Sequence, residues 1–196
     1  MQSQLRSLFP NLLLEICNDG GRMVDFSSAA NGDYFSISDS YDPLSNRRAF
    51  FDASYVLPPA MLETYVEKWP TASIDNFRYV LRSGMMGWFT LMLDTAWNAE
   101  EHATARKAIA PYKSELRPLI READLYHVSP RPDGVHWDGT EYFDGVHGKG
   151  VLFAFHGSST DEPRHAFVLQ GLKPEGYINF HFKTTLPKTI VFQVAN

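Results

Sequence analysis

A chain of 196 residues with 44% hydrophobic and 14% aromatic side chains can bury a core sufficient for one large domain or two small ones, which excludes intrinsic disorder. Its formal charge of −5 is spread along the sequence without a lysine or arginine cluster, and this excludes a phosphate-backbone footprint and with it a nucleic-acid partner. A single cysteine, Cys17, excludes an internal disulfide and any zinc pattern built on paired cysteines, and no apolar run reaches the roughly 20 residues needed to cross a bilayer.

The opening residues MQSQLRSLF read as the tail of an amphipathic helix, followed at once by an apolar run over 11–16 that reads as a strand. So abrupt a start is expected of a chain that begins within a larger architecture. A lipoprotein signal does not fit, because Pro10 and Glu15 interrupt the apolar stretch and Ile16 is too large to precede a lipidated cysteine. With no targeting segment in these residues, a cytoplasmic location is favoured.

Residues 34–38, YFSIS, read as a second strand. The segment between the strands, with a short helix over about 23–30, supplies a crossover that makes them parallel neighbours. Residues 43–55 read as a helix stopped by Pro58-Pro59. The run GMMGWFTLML, 84–93, is a strand or a buried helix, and periodicity does not choose between them. From Asn98, a capping residue followed by two glutamates, a helix is expected to reach about Glu122, kinked or broken near Pro111 and Pro118. Beyond Asp124 the texture turns to short β-rich runs, DLYHV, VLFAF, HAFVL, YINFHF and TIVFQV, separated by turn-forming stretches. Such spacing predicts an antiparallel sheet or sandwich, with a domain boundary near residue 123.

Chemistry concentrates where the first two strands end. In parallel α/β sheets ligands meet the loops at the carboxyl ends of strands. Cys17 follows the first strand directly and Asp39 the second. A carboxyl group at such a mouth suits proton transfer, with Ser38 or the loop backbone to orient it. Gly20-Gly21 would admit main-chain amides close to a ligand where a Cβ would intrude. Each feature also has a plain structural use: paired glycines close turns, Asp42 before Pro43 caps a helix, and Cys17 is a small apolar filler. The histidines show no metal-ligand spacing. Trp137 suits core filling better than sugar stacking.

Taken in order, these motifs resemble the carboxyl-terminal portion of the α-galactosidase-type glycoside hydrolases of family 36. The resemblance lies in Cys17-Asn18-Asp19-Gly20-Gly21-Arg22, then Asp25, then Ser38-Asp39-Ser40-Tyr41-Asp42, and in the spacing from Asp42 to Pro58-Pro59. It continues through Met86-Gly87-Trp88-Phe89-Thr90-Leu91-Met92-Leu93-Asp94, where the family's second glycine and its glutamate are replaced by Thr90 and Met92, and through APYKSELRPLIREADLYHVSPRPDG into the β-rich part.

The resemblance implies an α/β fold: the second half of a (β/α)8 barrel over residues 1–122, then a C-terminal antiparallel β-sandwich over 123–196. It implies retaining chemistry on an α-galactoside or related α-glycoside without a cofactor or metal, with transfer to another sugar as a variant of the same path. Asp39 corresponds to the general acid/base, a group that must be protonated before the leaving group departs, a state that burial and a neighbouring carboxylate favour. Cys17 and Gly20 correspond to positions lining the sugar subsite, Gly21 and Arg22 join them as substrate-binding residues, and Arg22 with Asp25 orients the loop. The nucleophilic aspartate belongs to an earlier strand, and nothing before residue 17 supplies it. The chain is therefore expected to be inactive alone, and to need the missing amino-terminal half or to self-associate through uncovered strand edges. A noncatalytic carbohydrate-binding or structural remnant is the second reading.

Overall fold

The computed structural model describes residues 2–17, 19–67, 73–92, 97–158, 162–172 and 191–194. The chain divides into two compact units, 1–121 and 122–196.

In the first unit α1 (Gln2–Leu8) leads into β1 (Glu15–Ile16), and α2 (Phe26–Ala29) connects it to β2 (Tyr34–Phe35). The two strands pair in parallel, Glu15 opposite Tyr34 and Ile16 opposite Phe35. The ladder runs on beyond them, since the Ser36 amide donates to Ile16 O at 3.0 Å. After α3 (Pro43–Ala53) and a single 3-10 turn at Pro59–Met61 comes β3 (Glu63–Val66); α4 (Ile74–Gly84) then returns the chain to β4 (Trp88–Leu91). β3 and β4 are parallel, and a parallel bridge between Phe35 and Leu62 links β2 to β3. The strands thus lie side by side in chain order, each crossover containing a helix.

The ambiguous run 84–93 resolves at its glycines: the helix ends at Gly84 and the strand begins at Trp88. Neither β3 nor α4 is foreseen from sequence. All four residues of β3 are buried, so Glu-Thr-Tyr-Val carries no alternation to read. α4 shows its logic once placed. Ser73 caps it by accepting from the Asn76 amide, and Phe77, Val80, Leu81 and Gly84, at helical spacing, form its buried face. Phe77, Val80 and Leu81 pack with Val66, Trp97 and Ala105.

α5 (Ala99–Pro111) starts with the expected cap. Asn98 accepts from the Glu101 amide while the Glu101 carboxylate accepts from the Asn98 amide, which satisfies two orphan donors at once. The two prolines act differently. Pro111 ends α5, and the chain widens into a π-helical turn, Tyr112–Leu116. Pro118 is the second residue of α6 (Arg117–Glu122).

The second unit begins with an antiparallel meander of β5 (Asp124–His127), β6 (Asp138–Asp144) and β7 (Lys149–Phe155). β6 is unforeseen because polar residues are buried on both of its faces, Asp138 and Thr140 on one and Glu141 on the other. Glu141 is satisfied there by the Gln170 amide at 2.7 Å. β8 (Ala166–Leu169) pairs with β9 (Val191–Val194) in parallel, a departure from the wholly antiparallel arrangement expected. The strand expected over 177–182 lies outside the described residues. The tetrapeptide Asp-Gly-Val-His occurs twice, at 133–136 and 144–147, with the same side-chain closure each time, although Gly134 takes a φ of +83° and Gly145 does not take a positive one. Asp133 Oδ1 accepts from the Val135 and His136 amides and Oδ2 meets His136 Nδ1 at 2.7 Å. Asp144 repeats the pattern with Val146 and His147.

Candidate functional site

The loop after β1 folds onto the segment after β2. Asp19, Gly20 and Gly21 have φ of +46°, +60° and +95°, three consecutive residues in a region that disfavours side chains. A Cβ at Gly20 would lie 3.0 Å from the Asp39 amide nitrogen and 3.1 Å from Asp39 Oδ2. At Gly21 it would lie 2.4 Å from Ile37 O. The glycine pair therefore brings backbone against Asp39 itself, and Gly20 and Asp39 meet as neighbours across two strand ends.

Cys17, at the head of the same loop, is exposed and is not the buried filler that its residue type suggests. Asp39 is exposed as well, a correction to the buried setting expected of a proton donor. Arg22 turns to Asp19 within the loop, Nη1 to Oδ2 at 3.2 Å, with both side chains largely exposed. Such a pair contributes about 0–1 kcal/mol. Asp25 caps α2 by accepting from the Ser28 amide at 2.7 Å.

Ser38 and Ser40 hold the turn on which Asp39 sits: the Ser40 amide donates to Ser38 Oγ at 3.0 Å. Asp42 caps α3 by accepting from the Ser45 amide at 2.9 Å, with Pro43 at the first helical position. Burial pushes its carboxyl up, but the hydrogen bonds from Ser45 and Leu44 outweigh this and hold it below the usual aspartate range.

Sequence reasoning missed Asn46. This wholly buried side chain donates from Nδ2 to Ser40 O at 3.0 Å and to Asp42 O at 3.1 Å, while its Oδ1 accepts from the Tyr65 amide at 2.9 Å. It ties the Asp39 turn to β3. An asparagine on the buried face of a helix, four residues after its cap, is the signal that could have exposed it.

Alternate residues of the four strands carry a second polar array on the face opposite Phe35, Leu62 and Val66. Glu63 Oε1 accepts from the Thr90 hydroxyl at 2.7 Å and Oε2 lies 2.8 Å from the Tyr65 hydroxyl, which is 2.6 Å from Ser36 Oγ. Tyr65 has one proton, so it donates to Glu63 and accepts from Ser36. Burial, with Glu15 adding to it against the hydroxyls of Thr90 and Tyr65, raises the Glu63 carboxyl above the usual range. Burial likewise keeps the Tyr65 phenol neutral. Tyr34 stacks on Trp88 at 4.5 Å, and Tyr41, from the Asp39 turn, meets Tyr65 edge-on at 5.0 Å.

In the second unit Trp137 is half-buried. Its Nε1 donates to Glu162 O at 3.0 Å, and its ring meets His156 edge-on at 4.7 Å and lies nearly parallel to His165 at 6.2 Å. Among the described residues no group of three or more His, Cys, Asp or Glu side chains is arranged to hold a metal ion, and no helix is long and apolar enough to cross a membrane.

The sequence profile of the melibiase family matches residues 1–122. A probable α-galactosidase C from Aspergillus flavus is 24% identical over 176 residues, 87% of this chain and 23% of its own length. Among solved structures, the galactosidase domain of the α-galactosidase–sucrose kinase AgaSK superposes with a TM-score of 0.79 at 22% identity, over 89% of this chain and 25% of that one. A family 36 α-galactosidase AgaA variant from Geobacillus stearothermophilus, solved with raffinose, gives 0.75 at 21% identity, over 88% and 24%. The chain spans about a quarter of the length of these relatives. With more than half of its residues matched by the profile, it belongs to the melibiase family, the α-galactosidase-type proteins of glycoside hydrolase family 36.

Proposed function

We propose that this chain is the acid/base portion of a retaining α-galactoside hydrolase. The observation that carries the reading is the seating of Gly20 against Asp39, at the carboxyl ends of adjacent parallel strands, in a chain of this family. The strand order, unbroken along the chain, supports reading residues 1–122 as four successive βα units of an eight-stranded barrel. Residues 123–196 are then its terminal β-sandwich domain.

In this reading Asp39 protonates the departing glycosidic oxygen and then removes a proton from water attacking the covalent intermediate. Cys17 and the backbone of Gly20 and Gly21 line the sugar, and Arg22 braces their loop through Asp19. The exposure of Asp39 fits a site whose other wall is supplied by another polypeptide segment. That segment carries the nucleophilic carboxylate, roughly 5 Å from the acid/base in retaining enzymes, and its arrival supplies the burial that a proton donor needs. The substrate is an α-linked galactoside, the class to which raffinose, bound by the Geobacillus relative, belongs.

The test is hydrolysis of an aryl α-galactoside by the chain alone and by the chain co-expressed with the preceding barrel portion of a family relative. Turnover only in the pair, abolished by Asp39→Ala and partly restored by azide when the leaving group needs no protonation, supports the assignment. Robust turnover by the chain alone, or full activity of the paired Asp39→Ala variant, refutes it.

A further inference from the structure

One buried side chain of β3 is joined to the turn that carries Asp39 through its amide, its ring and its hydroxyl. Val66 packs onto α4 with Phe77, Val80 and Leu81, and strand alternation turns Glu63 and Tyr65 to the other face, which on the barrel reading is the lumen below the strand mouths. The Tyr65 amide reaches the turn through Asn46, which donates onward to Ser40 O and Asp42 O. The Tyr65 ring receives Tyr41 edge-on at 5.0 Å. Its hydroxyl meets Ser36 Oγ at 2.6 Å, on the strand that runs directly into Asp39.

That hydroxyl is itself locked. Glu63 Oε2 takes its proton at 2.8 Å, and Thr90 of β4 holds the other carboxyl oxygen at 2.7 Å, so three strands fix the direction of one phenol. An apolar side chain of the same volume would hold the sheet together at least as well, because burying polar groups costs desolvation. What a fully satisfied polar array adds is a single orientation. Asp39 itself is exposed, so the turn beneath it decides where its carboxylate points. A displacement of about 1 Å in a reacting group can cost about a hundredfold in rate.

We propose that Tyr65 is a positioning residue for the acid/base: held by Glu63, Ser36 and Thr90, it fixes the turn through Tyr41 and Asn46 and so aims Asp39 at the glycosidic oxygen. The inference rests on the assignment of Asp39 as the acid/base. Tyr65 touches neither sugar nor leaving group in this role, and its effect passes entirely through the turn.

The chain paired with the preceding barrel portion is assayed for kcat/KM on phenyl α-galactoside, whose leaving group needs a proton, and on dinitrophenyl α-galactoside, whose leaving group does not. The ratio of the two is independent of how much protein is folded. Tyr65→Phe keeps the ring and deletes the hydroxyl; it should lower the phenyl value by about tenfold or more and the dinitrophenyl value by less than about threefold. Tyr41→Leu cuts the ring contact while leaving the buried array whole, and should move the ratio the same way. Val80→Ala, a truncation in the α4 core, should leave the ratio at the parent value. In the full chain alone, Tyr65→Phe should speed amide hydrogen exchange across 39–42 by about tenfold or more without changing exchange in α4. A ratio unmoved by Tyr65→Phe and Tyr41→Leu, while Asp39→Ala moves it, overturns the positioning role and leaves the acid/base assignment standing. A ratio unmoved by Asp39→Ala overturns both. Unchanged exchange across the turn, or an equal shift of the ratio in Val80→Ala, also overturns the proposal.

Discussion

The two glycines beside Asp39 make opposite demands, and a methyl group at each separates them. At Gly21, with φ of +95°, alanine is held outside the right-handed region, at a cost of about 1–2 kcal/mol. Its Cβ would also stand 2.4 Å from Ile37 O and 3.0 Å from Ile37 C, atoms of the β2 extension that no side-chain rotation can move. Backbone displacement of this kind costs about 1–3 kcal/mol. Alanine recovers about 0.4–1 kcal/mol through the unfolded chain, leaving a net loss of about 2–4 kcal/mol.

At Gly20 φ is +60°, inside the left-handed basin. The nearest atom is the Asp39 amide nitrogen at 3.0 Å, a backbone atom that needs to give by only a few tenths of an ångström, and the Asp39 carboxyl at 3.1–3.2 Å is an exposed side chain that can yield. Strain and entropic gain there nearly cancel, for a net loss of about 0–1 kcal/mol. Urea unfolding followed by tryptophan fluorescence reads the difference: with m of about 2 kcal/mol/M, Gly21→Ala lowers the midpoint by about 1–2 M and Gly20→Ala by less than about 0.5 M. Equal midpoints, or a larger loss at Gly20, would refute the claim that the loop is seated on the β2 backbone through Gly21.

Asn46→Ala leaves the Tyr65 amide and the Ser40 carbonyl without their Asn46 partner; a loss of about 2–3 kcal/mol is expected in urea unfolding, together with faster hydrogen exchange at Tyr65. Asp42→Ala removes the α3 cap and should cost about 1 kcal/mol. Because the folded Asp42 carboxyl is held below its ordinary value, the stability it contributes is present above the unfolded pKa and is lost as pH falls through the folded one. The penalty of the alanine variant should therefore shrink in acid. Glu63 has the reverse sign. Its folded pKa is raised, so the folded state holds a proton that the unfolded chain releases, and stability declines as pH climbs above the ordinary glutamate value. Glu63→Gln cannot ionise, and thermal melts from about pH 4 to about pH 7 should shift in its favour relative to the parent; a constant difference would count against the burial of an ionisable group there.

What could be read from sequence was what short-range chemistry decides. Asn98 with Glu101 and Asp42 with Pro43 announce their helix starts within four residues, and Asp39 stands out because it follows a strand directly. The glycine pair was legible as a place of close approach, although only the fold shows that the approached group is Asp39. What escaped depends on distant partners. Glu63 in a strand makes sense once Thr90 and Tyr65 stand beside it, and Glu141 once the Gln170 amide caps it. Both were buried carboxylates that masked a strand. The exposure of Asp39 escaped for a related reason: burial at a strand mouth depends on what packs opposite, and nothing local encodes that.

The twin Asp-Gly-Val-His turns lead in a different direction. Each is closed by an acid and an imidazole three residues apart, together with two amides of the same tetrapeptide, so these closing contacts are written within four residues. A device this self-contained is portable, and it can join strands of unrelated composition as readily as the pair it joins here. Recombination could splice such a joint between modules without rewriting the sequence on either side.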